Sequence, residues 1–290
     1  MSCRSRRAGA TLFAVPAVHS GLANRRIDNL LKRIAMHMRR HDWFAVAVEI
    51  LVVVIGLLLA FQFDRWREGR VERAEERVYV QRLIADVGKD IPEIEYAIDL
   101  QSLRLELADL LIAAIETPEV ALEKPVLFIG AVNQAAFTYT PELTSHTFEN
   151  LRSTGDLRLI RSESVKNALF DYYGFDASQR QYRPLQFATE ARHFELVAGV
   201  LTVTQDVYLQ NEWLIFSPDK IAEIEVAAPP NGDVLDVAIR LGQRDEAVAW
   251  LPYVRQMQAE QVMIHGMRLD RAREVLALLT AYRRDIGGRY

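Results

Sequence analysis

The chain has 290 residues, half of them hydrophobic and about a quarter charged, which is the composition of a folded protein and excludes a disordered tail. Residues 1–63 carry nine Lys or Arg against three acids, a net charge of +6, whereas residues 64–290 carry 26 against 36, a net of −10. Phosphate binding requires a concentrated basic face, so an acidic main domain predicts that nucleic acid is not a partner.

Residues 1–28 differ in composition from the rest, with three arginines ahead of a short apolar patch, Ala10–Val18. We expect a disordered extension here. A start-site artefact, with translation beginning near Leu30, and a twin-arginine signal peptide are the alternatives.

Residues 29–42 predict a short basic amphipathic helix that lies at the lipid headgroups. Its apolar and basic side chains are Leu30, Leu31, Ile34 and Met38 beside Lys32, Arg33, Arg39 and Arg40. His37 and His41 have metal-ligand spacing, but no third ligand is close in sequence, so no metal site is predicted.

The segment Trp43–Phe63 predicts the single transmembrane helix. Fourteen of its residues are Leu, Ile, Val or Phe, and at about 1.5 Å per residue it is roughly 31 Å long, close to the ~30 Å hydrocarbon thickness of a bilayer. These side chains favour insertion by about 6 kcal/mol, against at most about 3.5 kcal/mol for the one carboxylate, Glu49. The lipid bilayer is therefore a predicted partner.

Glu49, Gly56 and Ala60 are the candidate residues for association between copies of the span. Gly56 and Ala60 form a small-xxx-small pair, and an intramembrane carboxylate can serve a proton relay or a hydrogen bond between helices. The alternatives are a snorkelled or protonated carboxyl at Glu49 and a chance pair of small residues. We expect a homo-oligomer joined through the span and the following stalk.

Ten of the fourteen residues from Asp64 to Arg77 are charged, with mixed signs, which predicts that the helix continues as a solvated stalk. Apolar residues then recur at spacings of three and four, typical of a helix that packs on other helices. The two registers are Val80, Ile84, Val87, Ile91, Ile94 and Ile98, then Leu100, Leu103, Leu107, Leu110 and Ala114. Pro92 either kinks this helix or opens a new one, and Thr117–Pro118 ends it.

Further helices are predicted on turn and cap signals. A helix covers about 126–137, and Thr144 or Ser145 caps the next one, which Gly155 closes in the left-handed conformation. Ser162 caps a helix that reaches Val203 in two pieces, broken near Gly174 or Pro184.

The last third of the chain predicts two helices. Asp233 caps a helix to Leu241, and the final helix runs from about Asp245 to Arg284, with Pro252 near its start. The seam of this final helix is Val262, His265, Leu269, Ala272, Leu276 and Leu279.

The predicted fold is therefore all-α: one transmembrane helix continues into a long stalk helix and an antiparallel helical bundle. The predicted divisions are the extension at 1–28, the juxtamembrane helix at 29–42, the transmembrane helix at 43–63, and the stalk with its soluble helical domain at 64–290.

Motifs for catalysis are not apparent. His265 in its apolar seam fits a general base or ligand, but a buried, hydrogen-bonded core histidine is favoured. His146 with Glu149, and His193 with Glu195, are explained better by helix caps and solvated faces. The turn Ser153–Thr154–Gly155 lacks the glycine run and lysine of a phosphate loop.

The only cysteine is Cys3, which leaves no disulfide or thiolate site after the span. We predict a non-enzyme with no catalytic residue, cofactor or metal.

Several blocks of the sequence are distinctive: Leu30–Ile34, His41–Glu49, Val52–Gly56, Gln62–Trp66, Thr147–Ile160 and Tyr172–Tyr173. Together they resemble a large uncharacterised family of small single-pass membrane proteins from Gram-negative bacteria. The resemblance covers roughly residues 30 to 175. It implies a single-pass inner-membrane location and this architecture, and the family carries no activity to transfer.

The expected role is a membrane-anchored helical binding or scaffolding protein of the bacterial envelope. We expect the N-terminus in the cytoplasm and the C-terminal domain in the periplasm. The first alternative is a periplasmic sensory or ligand-binding module that acts through a separate signalling partner. The second is a tethered hydrolase, which would need a polar cluster that converges only in the fold.

Overall fold

The structure is a computed structural model and describes residues 42–207 and 234–288. The predictions for the extension at 1–28, for nearly all of the juxtamembrane helix at 29–42 with His37 and His41, and for a cap at Asp233 lie outside the described residues. Contacts divide the chain into two units, Met1–Arg70 and Val71–Tyr290.

Helices account for 87% of the described residues and no strand occurs among them, which confirms the all-α prediction. In chain order the helices are α1 (Asp42–Glu116), a 3-10 helix (Pro118–Leu122), α2 (Pro125–Gln134), α3 (His146–Thr154), a 3-10 helix (Asp156–Leu159), α4 (Glu163–Arg180), α5 (Arg183–Val197), α6 (Val234–Gly242) and α7 (Asp245–Gly287).

Helix α1 is one helix of 75 residues that includes both the predicted span and the predicted stalk. Pro92 lies inside it and does not open a new helix. The helix ends before Thr117–Pro118, as predicted, because a residue that precedes proline is driven out of the helical conformation. Thr117 is accordingly extended, with φ −138° and ψ 91°.

In the first unit, every residue from 43 to 68 is exposed. This part of α1 is long and apolar enough to cross a membrane, and its most apolar stretch is not buried among the residues that the structure describes.

The second unit is built on the antiparallel pairing of α1 with α7. The side-chain contacts between the two helices include four in which the residue number in α7 falls broadly as the residue number in α1 rises. The contacts join Glu76 to Tyr282, Gln81 to Arg283, Glu95 to Arg273 and Asp109 to Arg255. The predicted antiparallel bundle is therefore present.

Two hydrophobic cores lie along this helix pair. The first core combines residues 80–94 of α1 with α3, α4 and residues 269–279 of α7. The second core combines residues 107–114 of α1 with α2, the end of α5, α6 and residues 247–254 of α7. Both long helices contribute to both cores.

The predicted helix ends are confirmed in part. Ser145 lies at the N-cap position of α3 but its side chain makes no capping hydrogen bond, and α5 ends at Val197 rather than at Val203. Gly155 ends α3 with φ +80°, and the Ser162 hydroxyl accepts from the Val165 amide at the start of α4. The break before α5 comes at Gln181–Tyr182, next to Pro184, rather than at Gly174. Proline fits the first turn of α5 because the amide it lacks has no partner within the helix there.

The predicted seams are confirmed in part. Val80, Val87 and Ile94 are fully buried, whereas Ile84, Ile91 and Ile98 are partly buried at the edge of the first core. In α7, the predicted positions that are buried are His265, Leu269, Ala272 and Leu279.

Candidate functional site

The three candidate association residues, Glu49, Gly56 and Ala60, lie on the exposed part of α1. They are seven and four residues apart, and at about 100° per residue these separations place all three within roughly 40° of one helix face. A Cβ atom at Gly56 would meet no atom within 4 Å. Gly56 and Ala60 therefore contribute only small side chains to this face, and the space next to Gly56 is empty.

A second cluster of polar groups, which the sequence did not predict, is buried between the two cores. Its centre is Arg268, whose side chain has no exposed surface. The Arg268 guanidinium forms an ion pair with Asp176 (Nη2 to Oδ1, 3.1 Å) and donates to Nδ1 of His265 at 2.6 Å. Asp176 also faces Arg180 at 3.3 Å, so the buried guanidinium joins α7 to α4.

His265 is fully buried beside this pair. Its Nε2 donates to the Tyr139 carbonyl at 3.0 Å, because Nδ1 accepts from Arg268. Burial, together with the Arg268 charge, lowers the pKa of His265 to about 4. The ring is therefore neutral near pH 7 with both nitrogens engaged, which is the arrangement of a structural histidine rather than of a general base.

The non-helical connection between α2 and α3 provides partners for several more polar side chains. Gln258 donates to the carbonyls of Ala135 and Phe137 at 2.8 and 2.9 Å. Glu190 of α5 accepts from the amide and the hydroxyl of Thr138. Because buried main-chain groups need partners, side chains from the surrounding helices replace the hydrogen bonds that this connection lacks.

Arg104 lies on the α1 side of the same connection and is buried. Its guanidinium donates to Gln101 at 3.1 Å, and Gln101 in turn lies 3.5 Å from the Tyr139 carbonyl. Burial lowers the pKa of Arg104 to about 10, while the charge of Glu190 acts in the opposite direction. Arg104 is therefore still a cation at neutral pH.

Asp90 of α1 forms hydrogen bonds with the residues just before α3 and with α4. One carboxylate oxygen accepts from the Thr144 amide and the other from the Tyr172 hydroxyl, each at 2.8 Å. Burial raises the pKa of Asp90 above its ordinary value, although both hydrogen bonds oppose that shift. The same burial, reinforced by the Asp90 charge, raises the pKa of Tyr172.

The two histidine–glutamate pairs considered from the sequence do not form. Glu149 accepts from Ser145, and Glu195 pairs with Arg192. His193 is buried, and its Nε2 lies 2.8 Å from the Val132 carbonyl. Burial lowers the pKa of His193.

The Ser153–Thr154–Gly155 turn ends α3, with both hydroxyls donating to the Asn150 carbonyl. Within residues 42–207 and 234–288, no group of three His, Cys, Asp or Glu is placed to hold a metal ion. The buried polar contacts described above join helices to one another or to the connection between α2 and α3.

Together these features define an all-α protein with one helix suited to crossing a membrane and a helical unit organised around buried polar contacts. The chain belongs to the family of unknown function DUF6090, whose sequence model matches residues 49–193, half of the chain. Searches of curated proteins and of solved structures found no match. The matched residues begin at Glu49 and extend to His193 in α5.

Proposed function

We propose that the chain is a single-pass protein of a bacterial inner membrane, and that its helical unit is a non-enzymatic binding or scaffolding module. The observation that carries the proposal is that every residue from 43 to 68 is exposed. In water, this many contiguous apolar side chains would form a patch that soluble monomers do not tolerate. A bilayer removes that cost, and the backbone of the helix is already hydrogen-bonded internally.

The orientation proposed is N-terminus in the cytoplasm and helical unit in the periplasm. The excess of basic residues ahead of the span supports it, because positive segments are retained on the cytoplasmic side. Arginines also follow the span, at positions 65, 67 and 70, and weaken the charge difference. A reporter fused after Tyr290 that is active only in the periplasm tests this orientation.

The proposed partner is a second copy of the chain. In the span, the face of Glu49, Gly56 and Ala60 would let two helices approach closely, and the carboxyl group could hydrogen-bond across the contact. In the stalk, Val71, Ala74 and Val78 are exposed at spacings of three and four, the pattern of an interhelical seam. The span face belongs to the first unit and the stalk face to the second. Each of them separately supports contact between two copies of the chain.

The proposal of a non-enzymatic role is supported by the state of the buried histidines. His265 and His193 each direct Nε2 to a main-chain carbonyl, and burial lowers the pKa of both. A group in this state is poorly placed to take a proton from a substrate.

The double variant Glu49→Leu, Gly56→Leu tests the span's role. We expect self-association in a membrane, measured by energy transfer between labelled copies in vesicles, to weaken by at least about tenfold, or about 1.4 kcal/mol. The added side chain at Gly56 has free space within the chain, so the change acts between copies.

Ala47→Leu is the matched control, because Ala47 lies about 160° around the helix from Glu49. It enlarges a small residue on the opposite face and should leave association unchanged. Equal association of the double variant and the parent would contradict the assigned role of Glu49 and Gly56.

A second candidate function is a ligand-binding sensory module that signals through a separate protein. The observation that favours it is a polar cleft between α1 and α3, whose lining includes Arg82, Asp86 and Lys89 of α1 and His146 of α3.

A further inference from the structure

We propose that a groove between the start of α5 and the first half of α7 binds a neutral sugar ring, with Gln261 at its base and two tyrosines at its edge. The site goes beyond the anchoring and self-association proposed above, and it lies wholly within the Val71–Tyr290 unit. Its failure would leave those proposals standing, and their failure would leave this one standing.

The groove has a volume of about 190 Å³. Pockets for drug-sized molecules are larger, about 300 Å³ or more, so this groove has room for a single ring and not for a long chain. One wall comes from Gln179 to Thr189, where α4 meets α5, and the other from Tyr253 to Ile264 of α7. Both walls are helical apart from the break at Gln181–Tyr182, so the lining is held on regular elements.

Gln261 is the polar group at the base of the groove. It is only 6% exposed, yet its side chain makes no hydrogen bond within the described part of the chain, and its amide atoms are not sealed from the surface. One turn earlier on α7, the amide nitrogen of Gln258 donates to two main-chain carbonyls. Because buried polar groups are rarely left without a partner, the Gln261 amide points to a partner that enters through the groove.

Two further amides define the kind of partner. Gln179 and Gln186 also line the groove, and neither side chain has a hydrogen-bond partner among the described residues. Each amide group offers both a donor and an acceptor. A hydroxyl group also donates and accepts, and a sugar carries several on neighbouring carbons. A ligand that displaces water from the groove must make the hydrogen bonds that water would otherwise make, and such hydroxyl groups can do so.

The remaining lining fits the carbon skeleton of a sugar. The side chains of Tyr182 and Tyr253 are 50% and 40% exposed at the edge of the groove, and Met257 and Ile264 add apolar surface from α7. Aromatic rings combine a large apolar area with a weakly negative face, and the C–H bonds of a sugar ring can pack on that face. Covering these exposed rings removes apolar surface from water, which favours binding.

The charges of the lining argue against other small ligands. None of the described residues that line the groove is Lys or Arg, so a carboxylate or phosphate group would lack a cationic partner there. The acidic residue of the lining, Glu260, accepts from Gln256. A quaternary ammonium group could stack on the tyrosines, but it forms no hydrogen bond and would leave Gln261 without a partner. A neutral ligand that carries hydroxyl groups meets both conditions.

The test uses the full-length chain in a detergent without a sugar headgroup, because such a headgroup would compete for the groove. The probes are glucose, galactose, mannose and N-acetylglucosamine at millimolar concentration, followed by saturation-transfer NMR and calorimetry. We expect at least one to bind saturably, and glucuronate, which adds a carboxylate to the same kind of ring, to bind at least about tenfold more weakly. No saturable binding by any of the four sugars, equal binding by glucuronate, or tighter binding by the neutral peptide analogue N-acetylglycinamide would overturn the proposal.

Variants locate the site. Gln261→Leu should weaken sugar binding by at least about tenfold, or about 1.4 kcal/mol, and Tyr182→Ala by at least about threefold. Gln243→Leu makes the same chemical change at an exposed position outside the groove and should leave binding unchanged.

The melting temperature separates binding from a structural role. Without sugar, Gln261→Leu should melt no lower than the parent, because no hydrogen bond between described residues is lost, and a lower value would assign Gln261 to the fold instead. Unchanged affinity in Tyr182→Ala, whose side chain is half exposed, would overturn the assignment even if Gln261→Leu failed to fold.

Discussion

Arg268 shows why the centre of the helical unit carries a guanidinium. Two different acceptors meet it there, a carboxylate of α4 and a ring nitrogen one turn back on α7. A guanidinium presents several donors in a fixed plane and can serve both, whereas an ammonium is a single point charge. Burying one member of such a pair without the other is strongly unfavourable, so Arg268 and Asp176 fix how α4 and α7 pack.

His265 gives the unit a pH dependence with a defined sign. Its pKa in the folded chain is about 4, below the ordinary value of about 6.5. The stabilising contribution is therefore complete above about pH 6.5 and is lost as the pH falls towards 4, by up to about 3 kcal/mol. His193 has the same sign of shift, since burial lowers its pKa too.

We expect His265→Gln to reduce the loss of stability between about pH 6.5 and pH 4. The measurement is the melting temperature of the full-length chain in detergent across this range. His146→Gln is the control, because the His146 side chain is 75% exposed and its loss should preserve the parent profile. A His265→Gln profile as steep as that of the parent would show that this ring does not carry the pH dependence.

At the scale of single helices, two glycines give opposite expectations. Gly155 ends α3 with φ +80°, and an added Cβ would meet no atom within 4 Å. Gly155→Ala should therefore destabilise through backbone strain alone, by about 1 kcal/mol. Gly174 lies inside α4 with equal space around it, and Gly174→Ala should stabilise by about 0.5–1 kcal/mol.

Denaturant unfolding of both variants checks this pair of values. Because neither alanine gains or loses a side-chain contact, the two changes differ only in backbone conformation. Destabilisation by both substitutions would mean that packing, rather than backbone conformation, sets their effects.

Helix boundaries were largely predictable because their signals are local. A helix end depends on residues within about one turn of it, and such signals are present at Thr117–Pro118, Gly155 and Ser162. The full width of the buried face of α1 was not predictable. A row of polar residues interleaves with the apolar seam and is equally buried, among them Asp90, Gln101 and Arg104. Periodicity treats such residues as solvent-facing, and only the partners supplied by other helices show that they are buried.

The candidate sites show the same division between local and distant information. Glu49, Gly56 and Ala60 could be picked out from the sequence, because a charge and small residues are conspicuous in an apolar helix. The Arg268–Asp176 pair could not, since its members are 92 positions apart in the chain. The i, i+3 spacing of His265 and Arg268 within an apolar seam was the one local hint of this cluster.

At the scale of the whole helical unit, α1 and α7 each contribute to both hydrophobic cores. Loss of either helix therefore disrupts both cores, and we expect Val71–Tyr290 to unfold in one cooperative step. Hydrogen exchange followed by mass spectrometry of the full-length chain should give equal opening free energies for peptides around Leu83 and around Leu111. Values that differ by several kcal/mol would show that the cores open separately.

The placement of α7 also bears on how the protein is made. Its residues complete both cores, yet they are synthesised after every other residue of those cores. Until then, the buried faces of α1 to α6 lack the part of each core that α7 supplies. The nascent chain thus passes through a stage in which both cores are incomplete, when premature termination or delayed synthesis would leave apolar helix faces open to aggregation.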